Sequence, residues 1–390
     1  MMVAASAWAV PAKRVQTVYT QSDGRTVTVV LAGDEHRHGY VTTDGYAVMK
    51  ATDGNFYYLN QGKTTSVMAH NAQDRDRAEQ EFIAQNAHNL VFATSESQAR
   101  RAPSKVALKD VDSQVPTSGS PHIPIILVSY KDLKLKGDNP IESMTEHYVT
   151  GEKSAFNYFK EQSFGKFTPQ FDILGMVELS GNRSEYGGNT NDSPYGDDKG
   201  VGKMVAEACQ AAGEYVNWSL YDNNGDGECD VVIVLYAGPG EAQGADMNDV
   251  CPMQLELEYS DYGKILEIDS VKINKFAVFN ELVGADDDGT VLDGIGTFCH
   301  EFSHCIGMPD FYATNQMGYY GMGRWSIMDY GNYNDNGNTP IGYTAYERNY
   351  LGWMDIEEAE PNSIITLSPV PAGGKAYKIT NDQDASGNEY

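Results

Sequence analysis

The residues best suited to chemistry lie in one short segment, residues 300–310, which reads HEFSHCIGMPD. His300 and His304 are four positions apart, so a helix would place both imidazoles on one face, where they could share one zinc ion. Glu301 would project beside them, and a carboxylate there can take a proton from an attacking water and pass it to a leaving amine. The spacing therefore predicts a zinc site with its own general base.

A third metal ligand is expected just after this helix. Gly307 can adopt a positive φ and end the helix, and Pro309 prevents the helix from continuing. The chain would then turn back and bring Asp310 to the metal as an oxygen ligand. Three protein ligands that leave one position for water are typical of a catalytic zinc site rather than a structural one.

A second motif, WSIMDYG at residues 325–331, resembles the Met-turn of metzincin peptidases. That resemblance implies that Met328 forms an apolar floor beside the metal without binding it. It also implies a catalytic role for Tyr330, which could stabilise the oxyanion of a tetrahedral intermediate. Simple packing in the core remains the alternative for both residues.

Further segments carry a resemblance that covers most of the chain. They are GDE at residues 33–35, DGY at 44–46, SFGKF at 163–167, the loop at 222–230, AGPG at 237–240, EL at 281–282 and YERNYLGW at 346–353. On these segments the chain resembles the immune inhibitor A family of secreted metallopeptidases. The family's architecture implies a propeptide, a metzincin-like catalytic domain whose third zinc ligand is an aspartate, and β-rich C-terminal parts. The chain departs from the family at residues 251–253, CPM, where relatives usually have Trp-Pro-His, and this changes the expected local packing.

Residues 222–230, DNNGDGECD, resemble the first half of an EF-hand calcium loop. Oxygen donors stand at the first, third, fifth and ninth positions of the loop, namely Asp222, Asn224, Asp226 and Asp230. Ile233 stands where an EF-hand has its bidentate glutamate, so the loop is not an EF-hand. We still expect Ca²⁺ there, because three carboxylates would otherwise be crowded without compensation. An ordinary solvated turn is the alternative.

The elements that must position these motifs are predicted from the hydrophobic pattern. Strands are predicted at residues 26–31, 40–49 (two short strands), 56–59, 123–128, 171–179, 230–237, 275–282, 364–367 and 376–379. Helices are predicted at residues 74–88, 154–162, 200–212, 294–306 and 341–351. This pattern indicates a mixed α/β (α+β) chain. Its catalytic domain would be metzincin-like, with a mixed twisted sheet and a zinc-binding helix, and would follow a small β-rich propeptide domain.

The predicted elements and the resemblance to the family together imply five parts along the chain. They are a signal-peptide remnant at residues 1–9, a propeptide-like β-rich domain at 10–91, an exposed linker with an expected processing site at 92–120, a metallopeptidase catalytic domain at 121–355, and the start of a truncated β-rich C-terminal region at 356–390. The propeptide could inhibit the enzyme by placing a donor on zinc, and Asp34, His36 and His38 are the candidates. A cysteine switch is excluded, because none of the five cysteines lies in that domain.

Composition excludes several other classes of function. The chain has 28 basic and 55 acidic residues among 390, a formal net charge of −27. Such a charge argues against sequence-independent binding of nucleic acid and against binding to anionic membranes. There is no run of 18 apolar residues that could span a bilayer. The five cysteines are too few for a disulfide scaffold.

The residues together predict a secreted or cell-surface zinc endopeptidase precursor. It would hydrolyse protein or peptide substrates through a zinc-activated water, with its own propeptide as inhibitor. Two further expectations concern the zinc helix: Asp293 would cap its N-terminus, and residues 277–280 would offer a strand edge to extended substrate. One alternative assigns the third ligand to Glu347. Another is a calcium-stabilised surface binding module with a vestigial protease site, although the intact Glu301 argues against it.

Overall fold

The computed structural model describes residues 11–34, 37–90, 115–190, 198–244, 248–284, 289–312, 321–360 and 362–379. The expected signal-peptide remnant, most of the linker and His36 lie outside these residues. Within the described ranges, no helix is both long and apolar enough to cross a membrane.

The N-terminal part is a six-stranded antiparallel sheet whose strands follow chain order. The strands are β1 (Gln16–Thr20), β2 (Thr26–Asp34), β3 (Arg37–Thr42), β4 (Ala47–Lys50), β5 (Phe56–Asn60) and β6 (Lys63–Met68). Alternation decides which side chains are buried: Val27 and Val29 on β2 are fully covered, whereas Thr28 between them is not. The strands predicted in this region are therefore confirmed.

One helix, α1 (Arg77–Asn86), covers that sheet. It begins where Asp76 accepts a hydrogen bond from the backbone N–H of Glu79, which satisfies one of the free donors of the first turn. Its Ile83 packs with Val29, Phe56 and other buried side chains of the sheet. The N-terminal part thus has a hydrophobic core of its own.

The remaining elements follow in chain order. They are β7 (His122–Ser129), α2 (Pro140–Thr145), α3 (Ala155–Gln162), β8 (Gln170–Glu178), α4 (Arg183–Tyr186), α5 (Val201–Ala212), β9 (Glu228–Cys229), β10 (Val232–Pro239), β11 (Met253–Glu256), β12 (Leu266–Ile268), β13 (Val271–Ile273), β14 (Lys275–Leu282), α6 (Ile295–Cys305), α7 (Ala345–Tyr350), β15 (Ile356–Glu358) and β16 (Ala376–Lys378). The mixed α/β composition predicted from sequence is confirmed.

The central sheet of this part has the strand order β11-β14-β10-β7-β8. Strands β14, β10, β7 and β8 are parallel to their neighbours, and β11 runs antiparallel to β14. Every residue of β10 is buried, as its continuous apolar run predicts for a strand covered on both faces. The prediction that residues 277–280 offer an edge to substrate is wrong for Ala277 and Val278, which are paired on both sides, by β11 and by β10. Phe279 and Asn280 pair with β10, and for these two residues the role stays a prediction.

The zinc-motif helix α6 packs on this sheet through a phenyl face. Phe298 and Phe302, one turn apart, both contact Phe171 of β8, with ring centres 5.0 and 5.1 Å apart. Phe302 also contacts Phe159 of α3 at 5.2 Å. Because His300 and His304 are offset from these phenyl groups on the helix, the same packing directs the imidazoles to the other side.

The segment before β7 also belongs to this core. Val115 is fully buried, and the carbonyl of Thr117 accepts a hydrogen bond from the indole N–H of Trp353 at 2.7 Å. Gly119 pairs with Phe167 in a short parallel bridge. Residues 115–119 therefore pack with the part that carries the zinc motif.

Two sequence predictions near the C-terminus need correction. The helix predicted at 341–351 is confined to α7, because Thr344 caps its N-terminus by accepting a hydrogen bond from Glu347. Residues 364–367 form no strand, and Ile364 is 99% exposed. An apolar run without a neighbouring strand to pair with cannot join a sheet. The parallel pair β15–β16 is the only strand pairing among the described residues beyond 355.

Candidate active site

The helix α6 ends in a way that returns the chain to its own histidines. Gly307 has φ +94°, a left-handed conformation that glycine adopts without strain. The N–H of Gly307 then bonds the carbonyl of His304, and the N–H of Met308 bonds the carbonyl of Ser303. This turn directs residues 308–310 back along the helix, as the Gly-x-Pro-Asp sequence predicts.

Each imidazole is oriented by a backbone carbonyl. The Nδ1 atom of His300 is 2.7 Å from the carbonyl oxygen of Ile327, and the Nδ1 atom of His304 is 2.7 Å from that of Met308. A carbonyl oxygen can only accept, so both Nδ1 atoms carry the proton. In the neutral rings, both Nε2 atoms are therefore lone-pair acceptors.

These acceptors converge with a carboxylate. The two Nε2 atoms are 3.2 Å apart. Oδ1 of Asp310 lies 3.2 Å from Nε2 of His300 and 3.4 Å from Nε2 of His304. Among the described residues, these are the only three His, Cys, Asp or Glu side chains close enough together to share a metal ion. Three lone pairs at such distances repel one another unless a cation lies between them, so the donor set fits a bound metal ion.

The electrostatics of the site agree with this arrangement. Burial holds the pKa of His304 below its ordinary value, although the carboxylate of Asp310 acts in the opposite direction. Burial alone would raise the pKa of Asp310, but His304 and His300 outweigh it and hold that pKa below its ordinary value. Neutral imidazole and ionised carboxylate are the forms that bind metals.

The predicted general base is buried next to this group. Glu301 follows His300 on α6, and neither side chain has measurable exposure. Only about 2% of the Asp310 side chain is exposed. The proposed base and the metal-ligating side chains are therefore covered by protein in this structure.

The predicted Met-turn is tied to the metal group through its backbone. Met328 is fully buried, and its carbonyl accepts a hydrogen bond from the N–H of Phe311, the residue after Asp310. The preceding carbonyl, that of Ile327, is the one that orients His300. Tyr330 begins a 3₁₀ segment two residues later, and the guanidinium of Arg14 lies 5.2 Å from its ring centre. Its catalytic role stays a prediction.

The alternative third ligand, Glu347, does not join the group. Its carboxylate accepts hydrogen bonds from the hydroxyl of Ser326 and from the backbone N–H of Thr344. It is fully buried at the start of α7. The sequence suggested it only by its distance from His304 along the chain, whereas the turn at Gly307 brings Asp310 to the histidines.

The residues of the calcium-like loop are bonded within the loop itself. Asp222 accepts from the N–H groups of Gly225, Asp226 and Gly227. Asn224 and Asp226 likewise accept from N–H groups two residues ahead. Burial raises the pKa of Asp230 to about 6, despite the amide of Asn223 at 2.9 Å. Among the described residues, the three loop carboxylates do not form a close metal-ligating group.

A buried polar cluster at the start of α6 was only partly anticipated from the sequence. Asp293 was expected to be the N-cap, but Gly294 occupies that position. Asp293 instead accepts hydrogen bonds from Gln243 at 2.5 Å, Asn280 at 3.1 Å and the N–H of Gly294 at 2.9 Å. An Asp immediately before a helix is recognised in the sequence as a possible cap. The sequence does not show that the amides of Gln243 and Asn280, which lie in other segments, bond Asp293.

The candidate donors of the N-terminal part are placed differently from the prediction. His38 does not belong to the metal-ligating group, and its Nε2 atom is 2.8 Å from Oε1 of Glu241, with both side chains about 5% exposed. The predicted role of His38 as a donor to zinc is therefore wrong in this structure. Asp34 ends β2, but its side chain lies outside what the structure describes.

Comparison with known proteins defines the class of protein that carries this site. Residues 128–354, more than half of the chain, match the family model described as "Immune inhibitor A peptidase M6, catalytic domain". A match of this extent shows the family to which the chain belongs. The chain belongs to the immune inhibitor A (M6) peptidase family, as its sequence motifs indicated.

Two similar proteins agree with that assignment. Immune inhibitor A of Bacillus thuringiensis subsp. alesti is 25% identical over 236 residues, which cover 52% of this chain and 33% of that protein. The pre-pro-metalloprotease PrtV of Vibrio cholerae serotype O1 is 24% identical over 267 residues, which cover 60% of this chain and 28% of PrtV. The chain thus spans about a third or less of the length of these relatives.

Proposed function

We propose that the chain is the precursor of a zinc endopeptidase that hydrolyses peptide bonds in proteins. The single observation that carries this proposal is the convergence of His300, His304 and Asp310 at 3.2–3.4 Å. Tetrahedral ligands about 2.0–2.1 Å from zinc are about 3.3–3.4 Å from one another, so the spacing of the donors suits this metal. Two imidazoles and one carboxylate leave a fourth position for water or substrate.

In this proposal, a zinc ion held by His300, His304 and Asp310 would polarise the scissile carbonyl as a Lewis acid and would make a bound water more acidic. The backbone carbonyls of Ile327 and Met308 keep the two imidazoles in the tautomer that binds metal. Glu301 takes the proton of the attacking water and delivers it to the leaving nitrogen. Tyr330, if the N-terminal segment releases it, donates a hydrogen bond to the oxyanion.

The test is hydrolysis of casein by a chain that begins at Val115, compared with the same chain carrying Glu301→Gln. The start at Val115 retains the packing of residues 115–119. We expect cleavage by the first protein, and a loss of about 100-fold or more with the amide variant, since general acid–base catalysis contributes about that much. Equal rates would refute the assigned base. If the protein is folded and contains zinc but does not cleave casein, the proposal that it is an endopeptidase is refuted.

We further propose that residues 10–91 are an inhibitory propeptide. Three contacts near the site support this. The carbonyl of Pro11 accepts a hydrogen bond from Tyr333 at 2.8 Å, the N–H of Lys13 donates to the carbonyl of Ala242 at 2.9 Å, and Arg14 lies on the ring of Tyr330. The segment therefore lies against residues that follow the Met-turn. Inhibition would result from covering the site rather than from a histidine on zinc.

The domain boundaries, the secreted or cell-surface location and the role of a precursor are parts of the same proposal. The relative PrtV is named a pre-pro-metalloprotease, which agrees with a precursor. Comparing the intact chain with the chain that begins at Val115 tests the propeptide. Equal activity of the two would contradict inhibition by the N-terminal part.

A calcium ion in the loop at residues 222–230 is proposed as a stabiliser. The acidic side chains of Asp222, Asp226 and Asp230 provide hard oxygen donors, and the raised pKa of Asp230 reflects a carboxylate without sufficient compensation. The alternative of a non-catalytic binding module is disfavoured, because Glu301 and all three proposed zinc ligands are retained.

A further inference from the structure

A buried carboxylate outside the proposed metal group is linked to it by hydrogen bonds. Glu347 and Ser326 are both completely buried. Oε1 of Glu347 accepts a hydrogen bond from the hydroxyl of Ser326 at 2.5 Å, and Oε2 accepts from the backbone N–H of Thr344. A buried carboxylate is costly unless it is hydrogen-bonded, so both oxygens of Glu347 have a structural purpose.

The hydroxyl of Ser326 acts in two directions. It donates its single proton to Glu347, and its oxygen accepts the N–H of Met328 at 3.0 Å. Since a hydroxyl has only one proton, the carboxylate fixes the rotation of this group and leaves its lone pairs for Met328. Hydrogen bonds to an ionised acceptor are also stronger than neutral ones. The conformation of residues 326–328 is thereby fixed from α7.

The same three residues hold two of the three proposed metal ligands. The carbonyl of Ile327 accepts the Nδ1 proton of His300 at 2.7 Å. The carbonyl of Met328 accepts the N–H of Phe311, next to Asp310, at 2.8 Å. A shift of the turn would therefore move an imidazole and a carboxylate together.

We propose that Glu347 is a positioning residue for the metal centre and acts through Ser326 and the turn at residues 326–328. This inference rests on the proposed metal centre. It gives a role to the Tyr-Glu-Arg segment at the start of α7, in which Glu347 lies 43 residues beyond His304.

The test uses the full chain with three single variants. Glu347→Gln replaces one of two acceptor oxygens by a donor, so one of the two bonds is lost. Ser326→Ala removes the hydroxyl that links the helix to the turn, and it remains informative if the glutamine variant does not fold. Thr344→Ala is the matched control, because it removes the hydroxyl that caps α7 and leaves the bond between Ser326 and Glu347 in place.

The measurements are the dissociation constant for Zn²⁺, by competition with a chelator, and the visible spectrum of the Co²⁺-substituted protein. Urea unfolding of each apo-protein reports stability separately. We expect Glu347→Gln and Ser326→Ala to weaken Zn²⁺ binding by about 10–100-fold, the usual effect of losing an outer-sphere partner, and to shift the Co²⁺ bands. We expect Thr344→Ala to lower stability without either change. The double variant Ser326→Ala/Glu347→Gln should bind no more weakly than the weaker single variant, because both act along one chain of bonds.

Two results would overturn the proposal. The first is unchanged zinc affinity and unchanged Co²⁺ bands in folded Glu347→Gln and Ser326→Ala. The second is an equal loss of affinity in Thr344→Ala, which would mean that α7 acts only through general stability. If the folded parent protein itself binds no zinc, the proposed metal centre fails first, and this inference fails with it.

Discussion

Replacing Asp293 by asparagine should change how the stability of the protein depends on pH. The carboxyl of Asp293 is buried at the start of α6. Burial raises its pKa from 3.8 to about 6, although hydrogen bonds from Asn280 and Gln243 act in the opposite direction. The folded protein therefore holds this proton to a higher pH than the unfolded chain does.

The sign and size of the effect follow from linkage. The stabilisation from the bound proton is fully present below pH 3.8 and is lost as the pH rises through about 6. A shift of about two pKa units corresponds to about 3 kcal/mol in total. Between pH 5 and pH 8 the part that is lost is about 1.4 kcal/mol. An asparagine at position 293 cannot titrate, so the variant lacks this pH-dependent stabilisation.

The assay is urea unfolding of the parent protein and of Asp293→Asn at pH 5 and at pH 8, followed by tryptophan fluorescence. We expect the free energy of unfolding of the parent, relative to the variant, to be about 1.4 kcal/mol lower at pH 8 than at pH 5. Other titrating groups are common to both proteins and cancel in the difference. A difference that stays constant over this range would refute the reasoning.

Three further predictions concern packing, ion binding and inhibition. Phe302→Ala should lower the free energy of unfolding by about 3–5 kcal/mol, because it opens a cavity between α6 and the sheet, and urea unfolding will measure it. Calcium should raise the melting temperature of the dialysed protein in calorimetry, and this rise should be absent in Asp226→Ala. Arg14→Ala should raise casein hydrolysis by the intact chain about 2–5-fold, because the variant loses the free energy of one exposed cation–π contact with Tyr330. The chain that begins at Val115 provides the uninhibited rate.

The elements with strong local patterns could be predicted from the sequence. The run at residues 230–237 predicted an interior strand, and β10 is buried throughout. The Gly-x-Pro-Asp sequence predicted the return of Asp310 to the histidines. Each of these depends on properties of neighbouring residues, such as the alternation of strand side chains or the freedom of a glycine to take a positive φ.

Several predictions failed because they depended on contacts between distant segments. The apolar run at residues 275–282 predicted a strand, but its place between β11 and β10 could not be predicted from it. Residues 364–367 had a strand-like composition and found no partner strand. His38 was expected near zinc, whereas it lies against Glu241, about 200 residues away along the chain.

The proposed metal site shows which features the sequence determined and which only the tertiary structure decided. The sequence alone determined that His300, Glu301 and His304 share a helix and that a turn at Gly307 brings Asp310 to them, because helix spacing and turn chemistry are local. Only the tertiary structure decided that Ile327 orients His300, that Glu347 bonds Ser326 instead of the metal, and that Arg14 lies on Tyr330. These contacts join segments between about 20 and 320 residues apart, and such pairings are selected by the packing of the whole chain rather than by any local preference.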